Sequence, residues 1–126
     1  DGVIGVWKSD DLIVLVDDKT IIDGLNPDFN KLAVFDTRGV IVTAADNQFD
    51  FVSRWFGPQV GVNEDPVTGS AHTFLAPFWA ARTGKNVLTA QQGGKRKGAL
   101  RCVVRDDGRV ELHGFARMTI EGIFQL

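Results

Sequence analysis

The segment Ser70 to Thr83 constrains the fold of this chain more than any other stretch. It has the length of a real helix, and it is apolar nearly all round through Ala71, Phe74, Leu75, Ala76, Phe78, Trp79, Ala80 and Ala81. A helix without a polar face must lie inside something. Ser70 suits the cap that precedes its first turn, because a hydroxyl there accepts from amides one turn in. Gly84 suits the left-handed position just past its end. Pro77 removes one helical hydrogen bond and should bend the helix.

What surrounds that helix reads as β-structure. Val3 to Trp7 and Leu12 to Val16 are short β-rich runs separated by the polar turn Lys8-Ser9-Asp10-Asp11. Val40 to Thr43 is entered through Arg38-Gly39, and Asp50 to Phe56 alternates Phe51, Ser53 and Trp55 with Val52, Arg54 and Phe56. Val87 to Gln91, Ala99 to Arg105, Val110 to Gly114 and Arg117 to Phe124 are further strands, with Asp106-Asp107-Gly108 as a hairpin turn. Gly93 to Gly98 is a second, looser turn. Thr20 to Leu25 is ambiguous, and Asn26-Pro27 reads as the cap and first residue of a short helix. The expected fold class is α+β: a mostly antiparallel, strongly bent sheet wrapped around one central buried helix, in a single domain over residues 1–126.

Bulk properties narrow the function. A chain of 126 residues fits one domain with a substantial core. The net charge of −2 disfavours nucleic acid as a partner. No apolar run approaches the roughly 20 residues of a membrane span. The single cysteine, Cys102, excludes an intrachain disulfide and a multi-cysteine zinc site, and with only two histidines no metal site is expected. A cytoplasmic location is the expectation. The start at Asp1 without a visible signal peptide suggests a trimmed chain or a fragment.

Chemistry concentrates in the loop Gly61-Val62-Asn63-Glu64-Asp65-Pro66-Val67-Thr68-Gly69-Ser70, which feeds the apolar helix. Free amides at a helix N-terminus attract anions, and a carboxylate beside them can move a proton. Asp65 reads as a proton-transfer or substrate-orienting carboxylate, or as a loop aspartate that caps nearby amides. Glu64 reads as a solvated charge or as a structural hydrogen-bond partner near the site. Thr68, Gly69 and Ser70 can cap the helix and bind an anion with the same amides. His72, in the first turn, either reaches the site or packs as a neutral imidazole, its pKa lowered by the helix dipole. His113 reads as structural, and Cys102 as a buried small hydrophobe. Arg54 is either a carboxylate clamp or a surface strand charge, and Lys95-Arg96-Lys97 is either an attractor of acids or a solvated turn.

These residues resemble a known family. Phe51 to Phe56, Gly61-Val62-Asn63-Glu64-Asp65-Pro66-Val67-Thr68-Gly69-Ser70-Ala71-His72, the upstream Arg38 to Ala44, the strand with Gln91 and Gln92, and the basic, Gly-rich turn around Arg96 resemble the second half of the phenazine-biosynthesis PhzF-like proteins. The resemblance covers essentially the whole chain. It implies half of a diaminopimelate-epimerase-like fold, in which two similar halves, each a sheet curled around a helix, enclose a site between them. By resemblance, Asp65 and Ser70 match second-half active-site residues, and the amides of Gly69 and Ser70 bind a substrate carboxylate. Thr68, Glu64 and His72 are the further substrate-binding candidates of this stretch. The family's first half, which supplies a catalytic glutamate and a supporting histidine, has no counterpart here. The thiol-based racemases of this fold carry a cysteine in the corresponding loop. Asp65 takes that place here, which favours carboxylate-mediated proton transfer.

The expected function is therefore a cofactor-independent isomerase or epimerase half-domain acting on a small carboxylic acid and inactive as a lone monomer. Its partner is either a second copy, in a homodimer, or a complementary N-terminal half. The alternative is a non-enzymatic module that binds a small acid or serves assembly.

Overall fold

The computed structural model describes residues 2–125. The protein is a mixed α+β structure with an open, mostly antiparallel sheet of eight strands. The strands are β1 (Val3–Lys8), β2 (Leu12–Val16), β3 (Val40–Ala45), β4 (Phe51–Gly57), β5 (Val62–Asp65), β6 (Val87–Gln92), β7 (Gly98–Val104) and β8 (Val110–His113). Three helices, α1 (Lys19–Asp23), α2 (Phe29–Leu32) and α3 (Gly69–Thr83), connect them. The sheet runs in the order β1-β2-β3-β4-β6-β7-β8, with β5 folded back on β4.

Two pairs in this sheet are parallel, β2 with β3 and β4 with β6. Each parallel pair needs a crossover. Both crossovers step in the same direction across the sheet, but β4 runs opposite to β2 and β3. Connections of one hand, leaving strands of opposite direction, must cover opposite faces. The result is two cores. On one face α3 packs against Ile13, Leu15, Ile41, Phe51, Trp55, Leu88, Ala90 and Cys102. On the other, α1 and α2 bring Ile22, Leu25, Phe29 and Leu32 over Val40, Val42, Val52 and Phe56. The alternation of β4 thus sends Phe51, Ser53 and Trp55 to α3, and Val52, Arg54 and Phe56 to α1 and α2.

The α3 core is tied by polar as well as apolar contacts. Trp79 stacks on Phe51 with ring centroids 5.7 Å apart. Its Nε1 donates to Thr43 Oγ1 at 3.0 Å, and that hydroxyl donates to the Val52 carbonyl at 2.8 Å. A buried indole needs such a partner. The helix touches both ends of the sheet: Phe78 meets Trp7 of β1 edge-on at 5.0 Å, and Phe74 lies in the same core as Leu112 of β8. Ser70, Thr73, Pro77 and Ala81, spaced to share one face, are exposed. The helix is therefore buried on its large side chains, and the small and polar positions face solvent.

Several expectations are corrected. The short helix begins at Phe29, with Asp28 as its cap accepting from the amides of Asn30 and Lys31, so Asn26 and Pro27 lie outside it. Thr68, not Ser70, occupies the cap position of α3. Strand β5 lies inside what reads as a loop, because Gly61 at φ 83° turns the chain back onto β4. Arg117 to Phe124 forms no strand: residues 114–125 have no regular structure, and Phe115, Met118, Ile120, Ile123 and Phe124 are exposed. Gly84 does take the left-handed C-terminal position, at φ 72°, and Pro77 does lie within the helix.

Candidate active site

Pairing of β5 with β4 sorts the two adjacent carboxylates. Asp65 stands opposite Trp55 and shares its face of the sheet, the α3 side. Glu64 falls on the other face, where Arg54 grips it with two bonds, Nε to Oε1 at 2.7 Å and Nη2 to Oε2 at 2.9 Å. Arg54 Nη1 also donates to the carbonyls of Ile22 and Leu25, at 3.1 and 2.8 Å. The arginine is buried, and its pKa is raised, first by the hydrogen bond to Glu64. Arg54 is thus a carboxylate clamp, but for a carboxylate of its own chain rather than a surface charge. Glu64 is a structural partner separated from Asp65 by the sheet.

On the α3 face a compact network holds the loop. Thr68 Oγ1 donates to Asp65 Oδ2 at 2.9 Å. The fully buried Gln92 donates from Nε2 to the Asp65 carbonyl at 2.8 Å and to Thr68 Oγ1 at 2.9 Å, and its Oε1 accepts from the Thr68 amide at 3.0 Å. The Thr68 hydroxyl is spent on Asp65, so it makes no cap bond to the helix. The first amides of an α-helix have no partner within it. Among the described residues the amides of Gly69 and Ser70 find none elsewhere either.

Ser70 follows at the start of α3, exposed. Its Oγ accepts from Arg38 Nη1 at 2.8 Å. Arg38 is fixed from behind by Asp11, through Nε to Oδ1 at 2.9 Å and through Nη2 to Oδ2. Asp11 is buried, and the hydrogen bond to it raises the Arg38 pKa further. The guanidinium lies 5.8 Å from the centre of the Trp55 ring, whose indole covers Gly39, where a β-carbon would collide with it. The Ser70 oxygen accepts that hydrogen bond, and its own O–H remains free to donate. These donors, the Gly69 and Ser70 amides and the Ser70 hydroxyl, follow directly on Thr68, whose own hydroxyl holds the Asp65 carboxylate. Such a patch can hold a carboxylate and place a base near its α-carbon.

His72 is fully buried, so its side chain meets the site only through Thr68, whose carbonyl lies 2.9 Å from Nδ1. Burial lowers its pKa, against the backbone contact with Thr68, which raises it. Cys102 is buried and its thiol is pushed up to about 11 by burial. His113 is exposed beside Glu111. Among the described residues no group of His, Cys, Asp and Glu is arranged to hold a metal, and no helix is long and apolar enough to cross a membrane. Asp11 and Arg38 are the site residues that sequence reasoning missed. Arg38 was signalled by its charge at the entrance to a strand and by the stretch Arg38 to Ala44 in the resemblance, but neither reveals its partners 27 and 32 positions away.

The fold and this loop-to-helix arrangement define a class. The profile described as "Phenazine biosynthesis-like protein" matches residues 3–122. The chain belongs to this phenazine biosynthesis-like (PhzC/PhzF) family. An uncharacterized isomerase of Pseudomonas aeruginosa is 58% identical over 121 residues, which cover 96% of this chain and 46% of that protein. A second uncharacterized isomerase of the same organism is 48% identical, over 94% of this chain and 45% of its own length. The chain thus spans about half the length of the curated relatives it matches. A crystal structure of a PhzF family protein from Enterococcus faecalis superposes with a TM-score of 0.80 at 37% identity, covering 92% of this chain and 48% of that one. A PhzC/PhzF protein from Clostridium difficile gives 0.79 at 37% identity, with 92% and 46% covered.

Proposed function

We propose that this chain forms one wall of an isomerase site that moves a proton on a small carboxylic acid. Asp65 is the acid–base group, and Ser70 with the amides of Gly69 and Ser70 grips the substrate carboxylate. Thr68 orients Asp65, and His72 supports Thr68 from the core. The observation that carries the reading is the Arg38 to Ser70 bond of 2.8 Å, which holds the serine in place and leaves its O–H free to donate. Relatives described as isomerases support the reaction class. The other wall belongs to a second half. The chain would then be half of a diaminopimelate-epimerase-like fold with α3 at its centre, which fits a helix that touches both ends of the sheet yet leaves Ser70, Thr73, Pro77 and Ala81 bare. No cofactor enters this chemistry.

The test is incorporation of solvent deuterium into small carboxylic acids by the assembled protein, both halves present. Asp65→Asn is expected to remove turnover while the circular dichroism of the chain stays unchanged. Undiminished exchange would overturn the assignment.

The exposed apolar side chains of residues 115–124 favour a second reading, an assembly module. Large apolar side chains left this exposed are candidates for burial against a partner. Its partner would be a second copy of this chain or the complementary half.

A further inference from the structure

One cavity does not coincide with Asp65 and Ser70, neither of which lines it. It lies across the sheet, on the α1–α2 side, with a volume of about 740 Å³. That is within the range of about 300–1,000 Å³ typical of small-molecule sites. We infer that this cavity is a binding site for a small organic anion with an apolar body, separate from the proton-transfer site.

Three observations carry the inference. First, the cavity has an apolar side, formed by Leu25, Phe29 and Pro66, suited to a ring or branched chain. Second, its charge is unbalanced in one direction. Arg54 is neutralised by Glu64, and Lys97 is 3.3 Å from Asp23. Lys95 and Arg96 line the same cavity and have no ion-pair partner among the described residues. Two cations on a partly apolar pocket select an anion over its neutral isostere. Third, the polar back wall is kept open by the absence of a side chain. A β-carbon on Gly94 would sit 2.9 Å from Arg54 Nη2 and from Glu64 Oε1. Arg54 cannot swing away, because four hydrogen bonds hold it. Gly94 therefore leaves the edge of a rigid, buried guanidinium within reach of a ligand.

The test is amide-resolved NMR of the chain titrated with benzoate, benzamide and inorganic phosphate in turn. Benzoate is expected to give saturable shifts at Leu25, Phe29 and Gly94 to Lys97. Benzamide and phosphate, lacking the charge or the apolar body, are expected to bind at least about tenfold more weakly, a difference of about 1.4 kcal/mol. Replacing Lys95 and Arg96 together by Ser should weaken benzoate by a similar factor with the rest of the spectrum unchanged. Ser70→Ala should leave these shifts as they were. Shifts confined to Gly69, Ser70 and Ala71, benzamide or phosphate equal to benzoate, or no saturation would each overturn the inference. The Asp65 reading stands or falls separately, on deuterium exchange.

Discussion

At the scale of single residues, two buried groups make measurable demands on stability. Glu64 is the counter-charge of a buried Arg54. Removing one partner of such a pair leaves an uncompensated charge, so Glu64→Ala is expected to lower the unfolding free energy by about 3 kcal/mol, read from urea denaturation. The carboxylate next in sequence should behave differently. Asp65 is partly exposed and bonded chiefly to one hydroxyl, so Asp65→Asn should leave stability within about 1 kcal/mol of the parent. His72 imposes a pH dependence. Its folded pKa lies below the unfolded value of about 6.5, so the unfolded chain takes up its proton first as pH falls. The contribution is complete above about pH 6.5 and is lost as pH drops from there toward the folded value. Urea midpoints should decline from pH 7.5 to pH 5.5, and His72→Gln should flatten that decline. An unchanged slope in the variant would place the effect elsewhere.

At the scale of elements, the sequence was legible where one residue type answers one local demand. Gly84 ends α3 because the chain there needs φ 72°, and nothing packs against the place where its side chain would be. Gly84→Ala should therefore cost about 1 kcal/mol from the backbone alone, measured as a lowered denaturation midpoint. Most of the strand runs and the Asp106 to Gly108 hairpin were readable for the same reason. What escaped reading depends on long-range pairing. β5 looks like loop because Val62 to Asp65 has no hydrophobic alternation, and only its partner β4 makes it a strand. Ser70 looks like a helix cap, but Thr68 lies in the cap position and spends its own hydroxyl on Asp65. The segment Arg117 to Phe124 has strand-like composition but pairs with no strand, and its large apolar residues are exposed.

At the scale of the whole molecule, that last segment makes a prediction about assembly. Residues 115–124 expose five large apolar side chains, which contribute little to the chain's own core. Deleting everything after Gly114 should leave the urea midpoint nearly unchanged. If the segment is the docking surface, the same deletion should reduce the molar mass seen by light scattering from dimer to monomer. A parent chain that is already monomeric would direct the search to a complementary half. Strand β4 stands at the centre of the molecule, between both crossovers, and supplies Trp55 to one face and Arg54 to the other. Because side chains alternate strictly along a strand, a slip of one residue would drive the Arg54 charge into the aromatic core beneath α3 and move the Trp55 indole to the α1–α2 face. Both faces would fail in the same event. The strand works as a two-sided key, and a misthreaded intermediate has no half-correct position in which to rest.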